Sequence, residues 1–125
     1  MNHWSPSAPH LHERHVQTDG FSSYRAITSS ESAEFSMHDT VVPAGVTLDL
    51  CYQGRREYVY VLSGSAEITK PDSDEIVSVG AGDTYVVFEG ERHSLYAITE
   101  LRGICCFTPP TRGDEVHDAS GSYPL

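Results

Sequence analysis

The chain has 125 residues, of which 38% are apolar and 21% charged, which predicts one globular domain with a single hydrophobic core. Eight Lys and Arg residues stand against 18 Asp and Glu residues, giving a formal charge of −10. Because nucleic acids and anionic membranes are bound through basic patches, this balance argues against both as partners. The sequence has no apolar run that would cross a bilayer and no apolar signal core near its start, so we expect a cytoplasmic protein.

Residues 1–19 are rich in His, Ser and Pro, and we expect them to form a flexible, polar N-terminal leader. Four histidines in this segment share no common face and have no acidic or thiol partner nearby, so a metal-binding tract is the weaker interpretation. They are His3, His10, His12 and His15.

Residues 20–108 contain nine short segments that predict β-strands. Most are rich in β-branched or aromatic residues, and several alternate between apolar and polar positions. Turn-forming residues separate most of them, and we predict no amphipathic helix of three turns between them. Many short strands at close spacing are typical of a sandwich or a closed barrel. In chain order the segments are SYRAITS, EFSMHDTVV, VTLDLCY, EYVYVLSG, SAEIT, EIVSV, DTYVVFE, HSLYAIT and RGICCFT.

Residues 109–125, PPTRGDEVHDASGSYPL, form a polar C-terminal tail after the last predicted strand. Glu115, His117 and Tyr123 are embedded in its Gly- and Pro-containing sequence. We expect this tail to pack at the mouth of the structure that residues 20–108 form.

Two spacing patterns match the paired signatures of cupin barrels. In the first, Gly45, Glu57 and Gly64 lie at the expected positions, and Cys51 and Gln53 stand where two histidines are usual. The second is matched by Gly82, Phe88, Gly90 and His93, with Phe where Pro is usual. Since both patterns match together, we predict an all-β fold: a single small cupin barrel, a double-stranded β-helix of the jelly-roll type, with polar N- and C-terminal extensions.

The two signatures leave only Glu57 and His93 of the three histidines and one glutamate that usually hold a cupin metal, which alone would make a poor site. Strand alternation places Tyr85 and Val87 on one face, and the following turn brings His93 back toward that face. Inward-facing Glu57, Tyr85 and His93 would form an oxygen-rich site with one imidazole. Such a site suits a divalent ion such as iron(II) better than copper.

The C-terminal sequence CCFTPPTRGDEVHDASGSY resembles the closing segment of the ectoine synthases, cupin cyclodehydratases that close a tetrahydropyrimidine ring. The similarity runs from about residue 20 to the end of the chain. It implies a mononuclear iron, Fe(2+), held by Glu57, Tyr85 and His93, and a head-to-tail homodimer. Other divalent ions, such as zinc or nickel, would also suit this site in a purified sample.

The resemblance also implies the other site residues. The catalytic candidates are Tyr52, Glu115, His117 and Thr40, and the sequence does not rank the first three as acid or base. The substrate-binding candidates are Phe21, Ser23, Arg25, Arg55, Cys105 and Phe107. The chain departs from the family at Phe21, where Trp is usual, and at Asp49, Cys51 and Arg55, where histidines are usual.

Several candidates also have a purely structural interpretation. Glu57 would be an ordinary surface residue if it paired with Arg55 or Arg56. Tyr85 would be an ordinary core aromatic, and Glu115 and His117 would be ordinary tail residues. For these residues, the candidate roles depend on the two cupin patterns and on the family resemblance.

The implied reaction is that of a hydro-lyase that closes a cyclic amidine. The α-amino group of N-γ-acetyl-2,4-diaminobutyrate attacks the acetamide carbonyl of the same molecule, and water leaves. An amide carbonyl is a weak electrophile, so a Lewis acid on its oxygen lowers the barrier, and positioned groups must move the protons. Arg25 is a candidate partner for the substrate carboxylate. The alternatives are the same scaffold cyclising a different N-acyl diamino acid, an iron cupin oxygenase, and a metal-free cupin that binds a small molecule.

Overall fold

The computed structural model describes residues 1–8 and 13–124; His10 and His12 of the predicted leader therefore lie outside the described residues, as does the last residue of the tail. The described residues contain no α-helix, and thus none that is long and apolar enough to span a membrane. Their ten strands are β1 (His15–Gln17), β2 (Ser22–Ile27), β3 (Ser36–Val42), β4 (Thr47–Leu50), β5 (Arg56–Ser63), β6 (Ser65–Thr69), β7 (Ile76–Gly80), β8 (Thr84–Val87), β9 (His93–Ala97) and β10 (Leu101–Thr108).

The strands form two antiparallel sheets whose inner faces share one core. The larger sheet has the order β1-β2-β3-β10-β5-β8, and the smaller has the order β4-β9-β6-β7. Val42, Val59 and Val61 of the larger sheet pack in one buried cluster with Leu95 and Ala97 of the smaller sheet. This arrangement confirms the predicted all-β cupin barrel.

Strand alternation decides which side chains of β5 enter the barrel. Tyr58, Tyr60 and Leu62 point outward and are exposed, while Val59 and Val61 point inward and are buried. Successive side chains of a strand lie on opposite faces, so Glu57 takes the inward side with the two valines. A carboxylate thus occupies a position on this strand where its neighbours are core residues.

All nine predicted segments form strands, but the sequence prediction missed β1. His15–Gln17 pairs antiparallel with β2, with His15 opposite Tyr24, and the two rings stack at a centroid distance of 4.9 Å. Another residue of the predicted leader also contacts the barrel, because Trp4 Nε1 donates to the Ala26 carbonyl at 2.8 Å. The predicted boundary after residue 19 therefore falls between two paired strands.

The C-terminal tail lies against the β4–β5 loop (residues 51–55). The Cys51 amide donates to the Gly121 carbonyl at 3.0 Å, and the Gln53 amide donates to Ser122 Oγ at 3.0 Å. Gly121 has a φ of 81°, and a Cβ added there would lie 2.4 Å from the Asp49 carbonyl oxygen. A side chain would therefore be both strained and obstructed at this position.

Candidate active site

A pocket opens inside the barrel, and the tail completes its wall. Its sixteen lining residues are Phe21, His38, Thr40, Val42, Leu48, Leu50, Tyr52, Glu57, Val59, Tyr85, Leu95, Leu101, Cys105, Phe107, His117 and Tyr123. Eight of the thirteen predicted site residues are among them: Phe21, Thr40, Tyr52, Glu57, Tyr85, Cys105, Phe107 and His117. The other five predicted residues, Ser23, Arg25, Arg55, His93 and Glu115, do not line it.

Glu57 brings a buried carboxylate to the pocket without a cation beside it. The side chain is 6% exposed, and the described residues include no ion pair to this carboxylate. Burial raises the pKa of Glu57 to about 7, and a hydrogen bond from the Cys105 thiol offsets part of that rise. Arg56 pairs with Glu89 instead, with 3.1 Å between Nε and Oε1, so the surface-pair interpretation of Glu57 with Arg56 is wrong.

Tyr85 lies next to Glu57 on the inner face of the same sheet. Glu57 pairs with Val87 of β8, and Tyr85 pairs with Val59 of β5, so the two residues are diagonal neighbours across the strands. Burial, followed by the charge of Glu57, raises the pKa of Tyr85 well above its ordinary value. Without a bound cation, the phenol therefore stays protonated at neutral pH.

His93 begins β9 and is held in one orientation by the backbone. Its Nδ1 lies 3.0 Å from the Glu91 carbonyl oxygen, and because a carbonyl can only accept, Nδ1 must carry the proton. The neutral ring then has an unprotonated Nε2, the form that binds a metal. Burial lowers the pKa of His93, which favours the neutral ring. The described residues contain no group of three His, Cys, Asp or Glu side chains suited to a metal, so the metal set of Glu57, Tyr85 and His93 stays a prediction.

Tyr52 and His117 form a hydrogen-bonded pair at the tail side of the pocket. The Tyr52 hydroxyl lies 2.8 Å from His117 Nε2. Burial, followed by the charge of Arg25, lowers the pKa of His117 to about 4, and burial raises the pKa of Tyr52 well above its ordinary value. Both groups are therefore neutral at pH 7, and the phenol can donate to the imidazole. Such a pair can pass a proton.

Glu115 is buried among cations and backbone amides. Its carboxylate accepts hydrogen bonds from the amides of Arg112, at 2.6 Å, and Gly113, at 2.8 Å. The terminal nitrogens of two buried arginines lie close by, Arg25 Nη1 at 3.9 Å and Arg55 Nη2 at 4.0 Å. This arrangement holds the tail to the barrel, and it leaves Glu115 away from the pocket wall.

Arg25 connects to the pocket through two hydroxyl groups. Its Nε donates to Ser23 Oγ at 3.0 Å, and Ser23 Oγ lies 3.0 Å from Oγ1 of Thr40, which lines the pocket. Arg25 itself is fully buried. Its Nη1 and Nη2 have no hydrogen-bond partner among the described residues.

Two polar residues of the pocket wall, His38 and Tyr123, are not among the residues predicted from the sequence. His38 is buried, and its Nε2 lies 2.9 Å from Thr111 Oγ1. The signal for it was present, because alternation along EFSMHDTVV places His38 on the same face as Thr40. Tyr123 has no comparable signal, because alternation along a strand says nothing about the orientation of a residue outside the strands.

The family model described as ectoine synthase matches residues 8–125. The chain belongs to the ectoine synthase family. An L-ectoine synthase of Mycobacteroides abscessus is 38% identical over 112 residues, covering 90% of this chain and 86% of that protein. An L-ectoine synthase of Thermobifida fusca is 37% identical over 110 residues, covering 88% and 82%.

Solved structures agree with this assignment. The crystal structure of ectoine synthase from P. lautus superimposes with a TM-score of 0.80 and 32% identity, over 94% of this chain and 88% of that chain. The cupin domain of Schizosaccharomyces pombe Cnp3 superimposes with a TM-score of 0.65 at 16% identity, over 83% and 70%. That second likeness shows the fold alone.

Membership in the ectoine synthase family confirms the predicted family and the predicted enzyme class, an ectoine synthase-like lyase. The roles of individual residues stay predictions. Arg55, one of the departures from the family's usual sequence, lies on the tail side of the β4–β5 loop and donates to tail carbonyls.

Proposed function

We propose that this protein closes the tetrahydropyrimidine ring of ectoine from N-γ-acetyl-2,4-diaminobutyrate with loss of water. The observation that carries the proposal is the pocket itself: within the barrel of an ectoine synthase family member, eight predicted site residues line one interior space. The pocket also contains many apolar side chains, among them Val42, Leu48 and Leu50. Such a wall limits water around the reacting groups, which favours a reaction that releases water.

We propose that Glu57, Tyr85 and His93 hold a divalent ion, with iron(II) as the expected one. Three observations support the fit: a buried carboxylate that lacks a cation partner among the described residues, a phenol beside it, and an imidazole with a free Nε2. The described residues leave the Glu57 charge uncompensated, and a bound cation would compensate it. When bound, such an ion would act as a Lewis acid for the acetamide carbonyl.

The Tyr52–His117 pair is the proposed route for protons. The neutral imidazole can accept a proton through the Tyr52 hydroxyl as the amine attacks, and it can return that proton as water leaves. Thr40 Oγ1 lines the same pocket and offers a hydrogen bond to the substrate. Phe21, Cys105 and Phe107 bound the space in which the substrate must fold, so that its amine and carbonyl meet.

Arg25 is the proposed partner of the substrate carboxylate. Two of its nitrogens lack hydrogen-bond partners among the described residues. Arg25 and Arg55 flank one carboxylate, Glu115, so this region carries an excess of positive charge. Because a buried charge is costly without a partner, the excess favours a substrate that brings a carboxylate group here. Ser23 fixes the guanidinium through the hydrogen bond to Nε.

The test uses protein purified without oxygen and reloaded with iron(II). N-γ-acetyl-2,4-diaminobutyrate is added, its acetyl methyl resonance is followed by proton NMR, and mass spectrometry checks for the loss of one water. Ring closure that requires iron supports the proposal. Oxygen consumption after air is admitted to the iron-loaded protein and substrate would instead favour the oxygenase alternative. Bound iron without turnover would favour a different N-acyl diamino acid, and neither iron nor turnover would favour the metal-free binding protein.

The proposal extends to assembly and location. We propose a homodimer, for which the outer strands β1 and β8 of the larger sheet offer edges that pair with no further strand of residues 1–8 and 13–124. Light scattering on purified protein measures the mass in solution, and a value of one chain would contradict the dimer. The cytoplasmic location also stays a prediction, which fractionation of the producing cell would test.

A further inference from the structure

Tyr123 packs face to face on His117. The two ring centroids are 4.4 Å apart and the planes differ by 10°. The other ring neighbours of His117 meet it at steep angles: Phe21 at 66° and Tyr52 at 48°. Tyr123 is therefore the residue that covers a face of this imidazole.

His117 has few other constraints. Among the described residues, the one hydrogen bond of its side chain is the 2.8 Å contact between Nε2 and the Tyr52 hydroxyl. One hydrogen bond fixes a single atom of the ring but leaves the ring free to tilt about it. The plane of the imidazole, and hence the direction of its nitrogen lone pair, depends on the ring stacked against it.

Arg55 holds the backbone that carries Tyr123. This arginine is 5% exposed, and its Nη1 donates to the Pro124 carbonyl at 2.9 Å and to the Tyr123 carbonyl at 3.4 Å. In the same loop, the Gln53 amide donates to Ser122 Oγ. Residues 122–124 are thus fixed to the β4–β5 loop, and that loop also carries Tyr52.

We propose that Tyr123 is a positioning residue that holds His117 against Tyr52, and that Arg55 secures Tyr123 in this position. The inference rests on the proposed role of the Tyr52–His117 pair. It assigns Arg55 a function on the tail rather than on the substrate. The β4–β5 loop then fixes the positions of both members of the proton-transferring pair. It carries Tyr52 itself, and it holds His117 in place through the tail.

The ring of Tyr123, and not its hydroxyl, is the group that matters. Tyr123→Phe keeps the ring, so we expect kcat within about twofold of the wild type. Tyr123→Leu removes the stack, so we expect kcat to fall roughly tenfold with a smaller change in KM, since proton transfer and not substrate binding is impaired. Tyr96→Leu, at a tyrosine that is 42% exposed on β9, is the matched control and should leave both constants unchanged.

A resonance of His117 provides a readout that needs no turnover. In metal-free protein with labelled histidine, the ring current of a stacked phenol shifts the His117 ring protons upfield, and the signal is assigned from its absence in His117→Gln. Tyr123→Phe should keep the shift, while Tyr123→Leu should lose it. Arg55→Met should broaden or move the signal and lower kcat, and Arg55→Lys should restore both in part, because an ammonium can still donate to a carbonyl.

Wild-type kcat and an unmoved His117 resonance in Tyr123→Leu would overturn the proposal. The same result in Arg55→Met would overturn the anchoring role, and this variant keeps the Tyr123 ring should Tyr123→Leu fail to fold. Absence of turnover in the wild type would overturn the proposed function, while the ring resonances would still support or overturn the stack.

Discussion

The buried carboxylate of Glu57 should destabilise the metal-free protein at high pH. The change to test is Glu57→Gln, which resembles the protonated acid in shape. Burial raises the pKa of Glu57 in the folded protein to about 7, whereas the ordinary value is 4.5. A raised folded pKa means that the contribution of this group to stability is fully present below pH 4.5 and is lost as the pH rises through about 7.

The size of the effect follows from the displacement of the pKa. A rise from 4.5 to about 7 corresponds to about 3 kcal/mol between low and high pH. Gln carries no charge at any pH, so it keeps the contribution that the ionised Glu57 loses. Metal-free Glu57→Gln should therefore match the wild type at pH 4 and exceed its free energy of unfolding by up to about 3 kcal/mol at pH 8.5.

Urea denaturation at both pH values measures this difference, and added iron(II) gives the second half of the test. A ligand that binds the folded state raises its stability, so iron should stabilise the wild type at pH 8.5. The same iron should have little effect on Glu57→Gln, because the amide is a much poorer ligand. Glu89→Gln, at an exposed carboxylate with one surface ion pair, is the matched control. Equal stability of wild type and Glu57→Gln at pH 8.5 without metal would refute the reasoning, since it would mean that the Glu57 charge is already compensated.

Three further predictions concern the tail and its contacts. Glu115→Gln should lower the free energy of unfolding by about 3 kcal/mol in urea denaturation, because it removes the charge between two buried guanidinium groups and one acceptor of a backbone amide. The control Asp114→Asn, at the exposed neighbouring carboxylate, should change the free energy of unfolding little. A Glu115→Gln protein that is as stable as the wild type but has no turnover would instead indicate a catalytic role for Glu115. Thr111→Val should cost about 1–3 kcal/mol, measured in the same way, since it deprives the buried His38 of its hydroxyl partner; an unchanged midpoint would contradict this. The lowered pKa of His117, about 4, means that its contribution to stability is present above pH 6.5 and is lost as the pH falls toward 4, by up to about 3 kcal/mol. His117→Asn should therefore flatten the curve of unfolding free energy against pH between pH 6.5 and 4. Parallel curves for the two proteins would argue against a buried neutral imidazole.

Local patterns were sufficient to predict the barrel from the sequence. The nine predicted strands have alternation and flanking turn residues of their own, and those features act over a few residues. β1 has no such pattern, because His15–Gln17 becomes a strand only by pairing with β2. β1 forms only because β2 lies beside it, and the sequence around residues 15–17 does not contain that information.

The site was predictable where one face of a strand decides it. Glu57 and Tyr85 follow from alternation together with the cupin spacing, Thr40 follows from the family resemblance, and all three line the pocket. The sequence does not distinguish residues that line the pocket from residues that hold the tail in place. A buried arginine that binds substrate and one that binds tail carbonyls have the same sequence signal. Arg55 shows this, since its partners are backbone carbonyls more than 65 residues away.

The C-terminal tail completes the pocket wall and also supplies the contacts that hold the tail against the barrel. His117 and Tyr123 face the interior, while Glu115 and the carbonyls of Tyr123 and Pro124 bind arginines of the barrel. A substitution that loosens these ion pairs and hydrogen bonds should therefore act on the shape of the active site as well as on stability. Activity and stability should then fall together for Arg55 variants, whereas an exposed change such as Asp114→Asn should leave both unchanged.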